Sequence, residues 1–153
     1  MHNGLVGNWN RVRRRVEALI PDELYPARVG TTDSEAVFLA ILGAGVQQDP
    51  IRATRLTLER LTALMNETGV PERLRFTAAL SNGRDIYAFR YAANDSANTL
   101  YYRATERGTL IVSEPLDRDH ANWKSVPENH VVIARRGRPA ELVPLEPARV
   151  AAE

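Results

Sequence analysis

Two short stretches of this chain carry residue types and spacing that can do chemistry. The first is His2-Asn3-Gly4. An Asn carboxamide and the next backbone N–H can converge on a developing oxyanion, which is what such a site requires. As a plain turn the same pair needs only the αL tolerance of Asn and the freedom of Gly. The second is Gly30-Thr31-Thr32-Asp33-Ser34-Glu35. Its plain role is a helix start, where the dipole favours Asp33 in the first turn. Its chemical role would be a carboxylate that holds a ligand ammonium at the end of a cleft. Cysteine is absent. That excludes disulfides, thiolate metal sites and a cysteine nucleophile within these residues. Ser34 and Ser113 have no paired base visible in the sequence. His2, His120 and His130 lie far apart and lack metal-ligand spacing. No glycine-rich phosphate loop is present. No metal and no cofactor is expected.

The elements that must position these residues follow from periodicity. Residues 1–7 read as a strand end and turn, punctuated by Gly4 and Gly7. A first helix is expected from Asn8 as N-cap, with Trp9, Val12, Val16 and Leu19 on its apolar face and Pro21 ending it. Arg11 to Arg15 form its solvated side. Thr32-Asp33-Ser34-Glu35 fits a capping box for a second, nearly all-apolar helix through Ala44. Gly43 or Gly45 can close it. Asp49-Pro50 starts a third helix with Ile51, Thr54, Leu58, Leu61 and Met65 buried, ending by Gly69 with Pro71 beyond.

From Leu74 the period changes to two. Residues 74–80 and 86–92 flank Ser81-Asn82-Gly83-Arg84, a hairpin signal. Residues 99–103 and 109–113 make a second pair near Gly108. Residues 129–134 and 140–145 make a third, turning at Arg136-Gly137-Arg138. Three helices followed by about six antiparallel strands give the α+β class, a helical part followed by an antiparallel meander.

Composition bounds the possibilities. A length of 153 residues is a one-domain prior. The charge is balanced at +1, with Lys124 the single lysine beside 19 arginines. No polybasic arm exists, so no nucleic-acid partner is expected. Tyr87, Phe89, Tyr91, Tyr101 and Tyr102 alternate on strands and are read as packing rather than base-stacking groups. The longest apolar run, residues 36–46, is too short to span a bilayer, and no secretion leader is visible. No membrane is expected, and cytoplasm is the expected location.

Taken in order, the segments resemble a known family. His2-Asn3-Gly4, a helix and Gly30–Glu35 look like the middle of a class II glutamine amidotransferase domain. Asp85–Tyr91, Leu100–Arg103, Val112–Leu116 and Trp123–Pro127 occur in the same order in its short bacterial branch, which includes the ergothioneine-pathway amidohydrolase. The resemblance spans about residues 1–135. It implies the αββα sandwich of N-terminal-nucleophile hydrolases. It implies that Asn3 and Gly4 form the oxyanion hole and that Asp33 binds the α-ammonium of glutamine. The complete protein would then hydrolyse glutamine, or a related γ-glutamyl amide, through a cysteinyl thioester. The family's N-terminal cysteine and its carboxylate-binding arginine have no counterpart here. Residues 1–147 are therefore expected to form an incomplete type 2 glutamine amidotransferase domain without its N-terminal strands, inactive alone. Residues 148–153 are expected to be a frayed tail. Unpaired sheet edges would favour self-association. The alternative is a non-catalytic amino-acid-binding or interaction module derived from that fold.

Overall fold

The computed structural model describes residues 1–70, 74–93, 96–117 and 120–145. The expected stop at Pro71 and the tail after Pro147 lie outside them. Three helices come early: α1 Trp9–Glu17, α2 Asp33–Gly43 and α3 Pro50–Glu67. Eight strands make up the sheets: β1 His2–Val6, β2 Leu74–Ser81, β3 Asp85–Ala92, β4 Tyr101–Thr105, β5 Gly108–Val112, β6 Lys124–Ser125, β7 His130–Arg135 and β8 Glu141–Pro144. They form a five-stranded antiparallel sheet in the order β1-β2-β3-β7-β8 and a three-stranded sheet in the order β5-β4-β6.

The α+β class holds, but the strands are not a plain meander. β3 pairs with β7, and the whole small sheet lies between them in sequence. Three hairpins sit where the turn residues put them. Asn82 Oδ1 accepts from the Arg84 and Asp85 amides, and Gly83 and Gly137 supply the positive φ. β6 is two residues long, too short for a periodicity signal. Residues 2–6 are a full strand rather than a strand end and turn: Asn3-Gly4 lies in mid-strand, paired with Thr77 and Phe76.

Strand parity divides the core between the faces of the large sheet. Val6, Phe76, Ala78, Phe89, Val131 and Ile133 pack against the helices with Val12, Val16, Val37, Ile41, Leu58 and Leu61. Ala88 and Val132 face the other way and pack on Leu100 and Val126 beside the small sheet. The layers are thus helices, large sheet, small sheet.

The helix starts differ from expectation in two places. Asn8 caps α1 through its backbone carbonyl, with φ at 48° and no side-chain cap bond. α1 ends at Glu17, before Pro21, and passes into tighter i→i+3 turns at Leu19 and Ile20. At α2 half of the capping box forms. Thr32 Oγ1 accepts from the Glu35 amide, whereas the Glu35 carboxylate turns back to the Val29 and Gly30 amides at 2.8 Å each. α3 starts as expected, with Asp49 Oδ1 accepting from the Arg52 amide.

Candidate functional site

The site is built on β1, an edge strand of the large sheet. Met1 and Ala79 exchange both ladder bonds, Met1 N to Ala79 O at 3.0 Å and Ala79 N to Met1 O at 2.9 Å. In an antiparallel pair such bonded positions alternate with non-bonded ones. The register His2↔Ala78 to Val6↔Leu74 therefore points the amides of Asn3 and Leu5 at β2. The amides of His2, Gly4 and Val6 point at the open edge. Val6 bears this out: its N–H donates to Asp33 Oδ2 at 2.9 Å.

Asp33 is the first residue of α2 and is half-buried. Its other oxygen, Oδ1, accepts from the Ser34 amide at 2.7 Å and the Ser34 hydroxyl at 3.3 Å. The carboxylate is thereby pinned to the strand edge. Gly4 N–H opens onto that same edge two residues back, about 6.8 Å along the strand. Asp33 and Gly4, 29 positions apart in sequence, thus line one edge.

Gly4 is required by close approach, not by a turn. Its φ is not in the left-handed region. A Cβ there would lie 2.2 Å from the Arg75 carbonyl oxygen and 2.3 Å from His2 Nε2. The His2 ring lies over Gly4 and stacks at 5.1 Å, tilted, on Phe76. Its Nδ1 meets Ser34 Oγ at 2.8 Å. Burial pushes the His2 imidazole below its ordinary pKa of 6.5, against the opposing pull of Asp33 and of the Arg75 carbonyl. Burial therefore favours the neutral imidazole.

The Ser34–His2 contact was invisible in the sequence, because 32 positions separate the two. It does not complete a nucleophilic triad. The third group, Asp33, accepts from the serine rather than orienting the imidazole.

Asn98 is a residue that sequence reasoning missed. Its Nδ2 donates to Asn3 O at 3.1 Å and to Asn3 Oδ1 at 3.0 Å. Its own carbonyl accepts from Thr77 Oγ1 and from Arg90 Nε, both at 3.1 Å. No motif or spacing marks it.

A concavity of about 350 Å³ opens beside the edge, lined by His2, Ser34, Phe38, Phe76 and Leu80 among others. A larger one, about 750 Å³, lies between the Asn82-Gly83 and Arg136–Arg138 turns; Asn3, Gly4 and Asp33 line neither of the two. Among the described residues, no three His, Cys, Asp or Glu side chains are placed to hold a metal ion, and no helix is long and apolar enough to cross a membrane.

No protein-family model matches the chain, and no curated protein matches it. A solved structure does match: a glutamine aminotransferase class-II domain protein from Silicibacter pomeroyi. It is 34% identical and superposes with a TM-score of 0.88, over 96% of this chain and 67% of that one. With this identity and coverage, the chain belongs to the class-II glutamine amidotransferase family.

Proposed function

We propose that the open edge of β1 binds a γ-glutamyl amide, with Asn3 and Gly4 at its amide end and Asp33 at its amino end. The observation that carries this reading is that Gly4 N–H and the Asp33 carboxylate share one strand edge: Asp33 holds the Val6 N–H, which stands about 6.8 Å along the strand from the Gly4 N–H. From ammonium nitrogen to amide oxygen, glutamine is a chain of five bonds, about 6 Å when extended. The Gly4 N–H and the Asn3 carboxamide would donate to the amide oxygen, where charge develops when the carbonyl is attacked. Asp33 would accept from the ammonium beside the bonds it already takes from Val6 and Ser34. A carboxylate has about four lone-pair sites, so these three donors leave room for a fourth.

The family chemistry runs through a cysteinyl thioester. These 153 residues contain no thiol, so they bind but do not turn over. The Met1 thioether is no substitute for a thiolate. The stacking of helices, large sheet and small sheet supports a place within an αββα sandwich of the N-terminal-nucleophile type. The order of the later segments supports the short bacterial branch that includes the ergothioneine-pathway amidohydrolase. A second reading, a non-catalytic amino-acid-binding module, is favoured by the same pairing of a formed binding edge with the absence of cysteine.

Calorimetry with L-glutamine tests the binding edge. Binding is expected for the wild type and should be lost in Asp33→Ala. Asp33→Asn, which can still take the Val6 amide, serves as the fold control. No binding by the folded wild type would overturn the assignment. Ammonia release from glutamine tests the chemistry: sustained turnover by this cysteine-free chain would refute the thiol requirement.

A further inference from the structure

We infer that Asn98 is a positioning residue that fixes which end of the Asn3 carboxamide faces the ligand. The inference rests on the binding edge proposed above and adds a residue to it. Asn3, Thr77 and Arg90 stand side by side across β1, β2 and β3, at paired registers. All three contact Asn98.

The hydrogen-bond chemistry sets the orientation. The Asn3 main-chain oxygen can only accept, so the Asn98 atom 3.1 Å from it must be the amide nitrogen. That same nitrogen sits 3.0 Å from one terminal atom of the Asn3 side chain. Two donors would repel, so that atom is Oδ1. The Asn3 NH2 is the end left over, free to donate to a ligand. Asn3 by itself would have no such preference, because its side chain is exposed and its two amide ends are nearly equal in size.

Asn98 can impose the choice because it is itself held. Arg90 donates to the carbonyls of Asn98, Ala97 and Val126, and the Ala97 amide donates to Glu128 Oε1 at 2.8 Å. The Arg90 side chain is only 14% exposed. The loop at 97–98 is thus anchored from below by a largely buried arginine side chain and presents one side chain upward.

Two substitutions separate orientation from simple support. Asn98→Ala frees the Asn3 amide to turn, which halves the correctly facing population and weakens glutamine binding about twofold. Asn98→Asp replaces the donor by a near-isosteric acceptor. The Asn3 NH2 then turns towards Asp and away from the ligand, held by a charge-assisted bond, and binding weakens about tenfold or more. A purely structural role also weakens Asn98→Asp, whose carboxylate would face the Asn3 main-chain oxygen, but it leaves the Asn3 NH2 where it was, whereas orientation by residue 98 turns it towards the new carboxylate. Calorimetry with L-glutamine gives the affinities. The ¹⁵N-resolved side-chain NH2 signals of Asn3 report the turn directly, in the absence of ligand.

If the wild type binds and the aspartate variant binds equally well, or the alanine variant is the weaker, the inference is overturned and the binding edge stands. If the wild type fails to bind, the binding edge falls. The free-protein signals then decide the orientation: contacts from the Asn3 NH2 to Asn98 in the wild type would overturn it. Should Asn98→Asp fail to fold, those wild-type signals together with Asn98→Ala decide the question.

Discussion

Gly4→Ala is the sharpest perturbation the structure offers. The added Cβ would stand 2.2 Å from the Arg75 carbonyl oxygen and 2.3 Å from His2 Nε2. Ordinary contact needs about 3.5 Å, so something must move by more than 1 Å. The imidazole can turn away, at the cost of its Ser34 bond and its packing on Phe76. The carbonyl cannot, because Leu5 and Arg75 are a bonded pair of the β1–β2 ladder. β1 must therefore withdraw from β2. Overpacking of this kind costs about 1–3 kcal/mol. At this chain length that lowers Tm by about 2–12 °C. The φ of Gly4 lies outside the left-handed region, so the cost is steric and not conformational. A thermal melt followed by circular dichroism measures it. Adding His2→Ala removes one of the two obstacles, so the double variant should be less destabilised than the sum of the singles by about 1 kcal/mol. A Gly4→Ala protein melting within about 1 °C of wild type would refute the close-approach argument. So would strict additivity with His2→Ala.

Two further outcomes follow from the same region. The fold favours neutral His2, its pKa lowered by burial below the 6.5 of the unfolded chain. In the window below pH 6.5 the unfolded chain binds more protons than the folded one. The stability contributed by neutral His2 is therefore full above pH 6.5 and is lost as pH falls towards the folded value. Urea midpoints between pH 7.5 and 5.5 should fall in wild type and flatten in His2→Gln; equal slopes would dismiss the assignment. Arg90→Ala strips donors from three main-chain carbonyls, those of Ala97, Asn98 and Val126. It should cost about 2–4 kcal/mol by urea denaturation, since bonds to charged groups are the stronger ones and the carbonyls are left unsatisfied. A loss under about 0.5 kcal/mol would mean that the loop at 97–98 is held by other contacts.

The helices and hairpins were legible because their signals are local. Asp49-Pro50, Thr32 and the Asn82-Gly83 turn act within four residues of themselves. The pairing of β3 with β7 was not legible, because β4 to β6 intervene and no local signal says which strands skip a neighbour. The candidate residues Asn3, Gly4 and Asp33 came from resemblance and motif, and the structure brings Gly4 and Asp33 to one edge. Their supporting contacts, Ser34 to His2 and Asn98 to Asn3, join residues 32 and 95 positions apart. Only the sheet register creates such neighbours. The turn reading of Asn3-Gly4 fails for a related reason. Asn-Gly is a turn signal in isolation, and only the overlying His2 ring and the Arg75 carbonyl reveal why a hydrogen atom must stand there.

The alternation along β1 sets a rule about length. Odd positions speak to β2 and even positions to the edge, so the binding amides are specified by counting as much as by residue type. Inserting or deleting one residue between Gly4 and Val6 would exchange the two sets. Gly4 N–H would turn inward or lose its place opposite Asp33, and the strand would still pair and still look well formed. The five residues of β1 can therefore vary in sequence at Leu5 far more freely than the strand can vary in length. Among relatives, tolerated change in this strand should be substitution and almost never an indel.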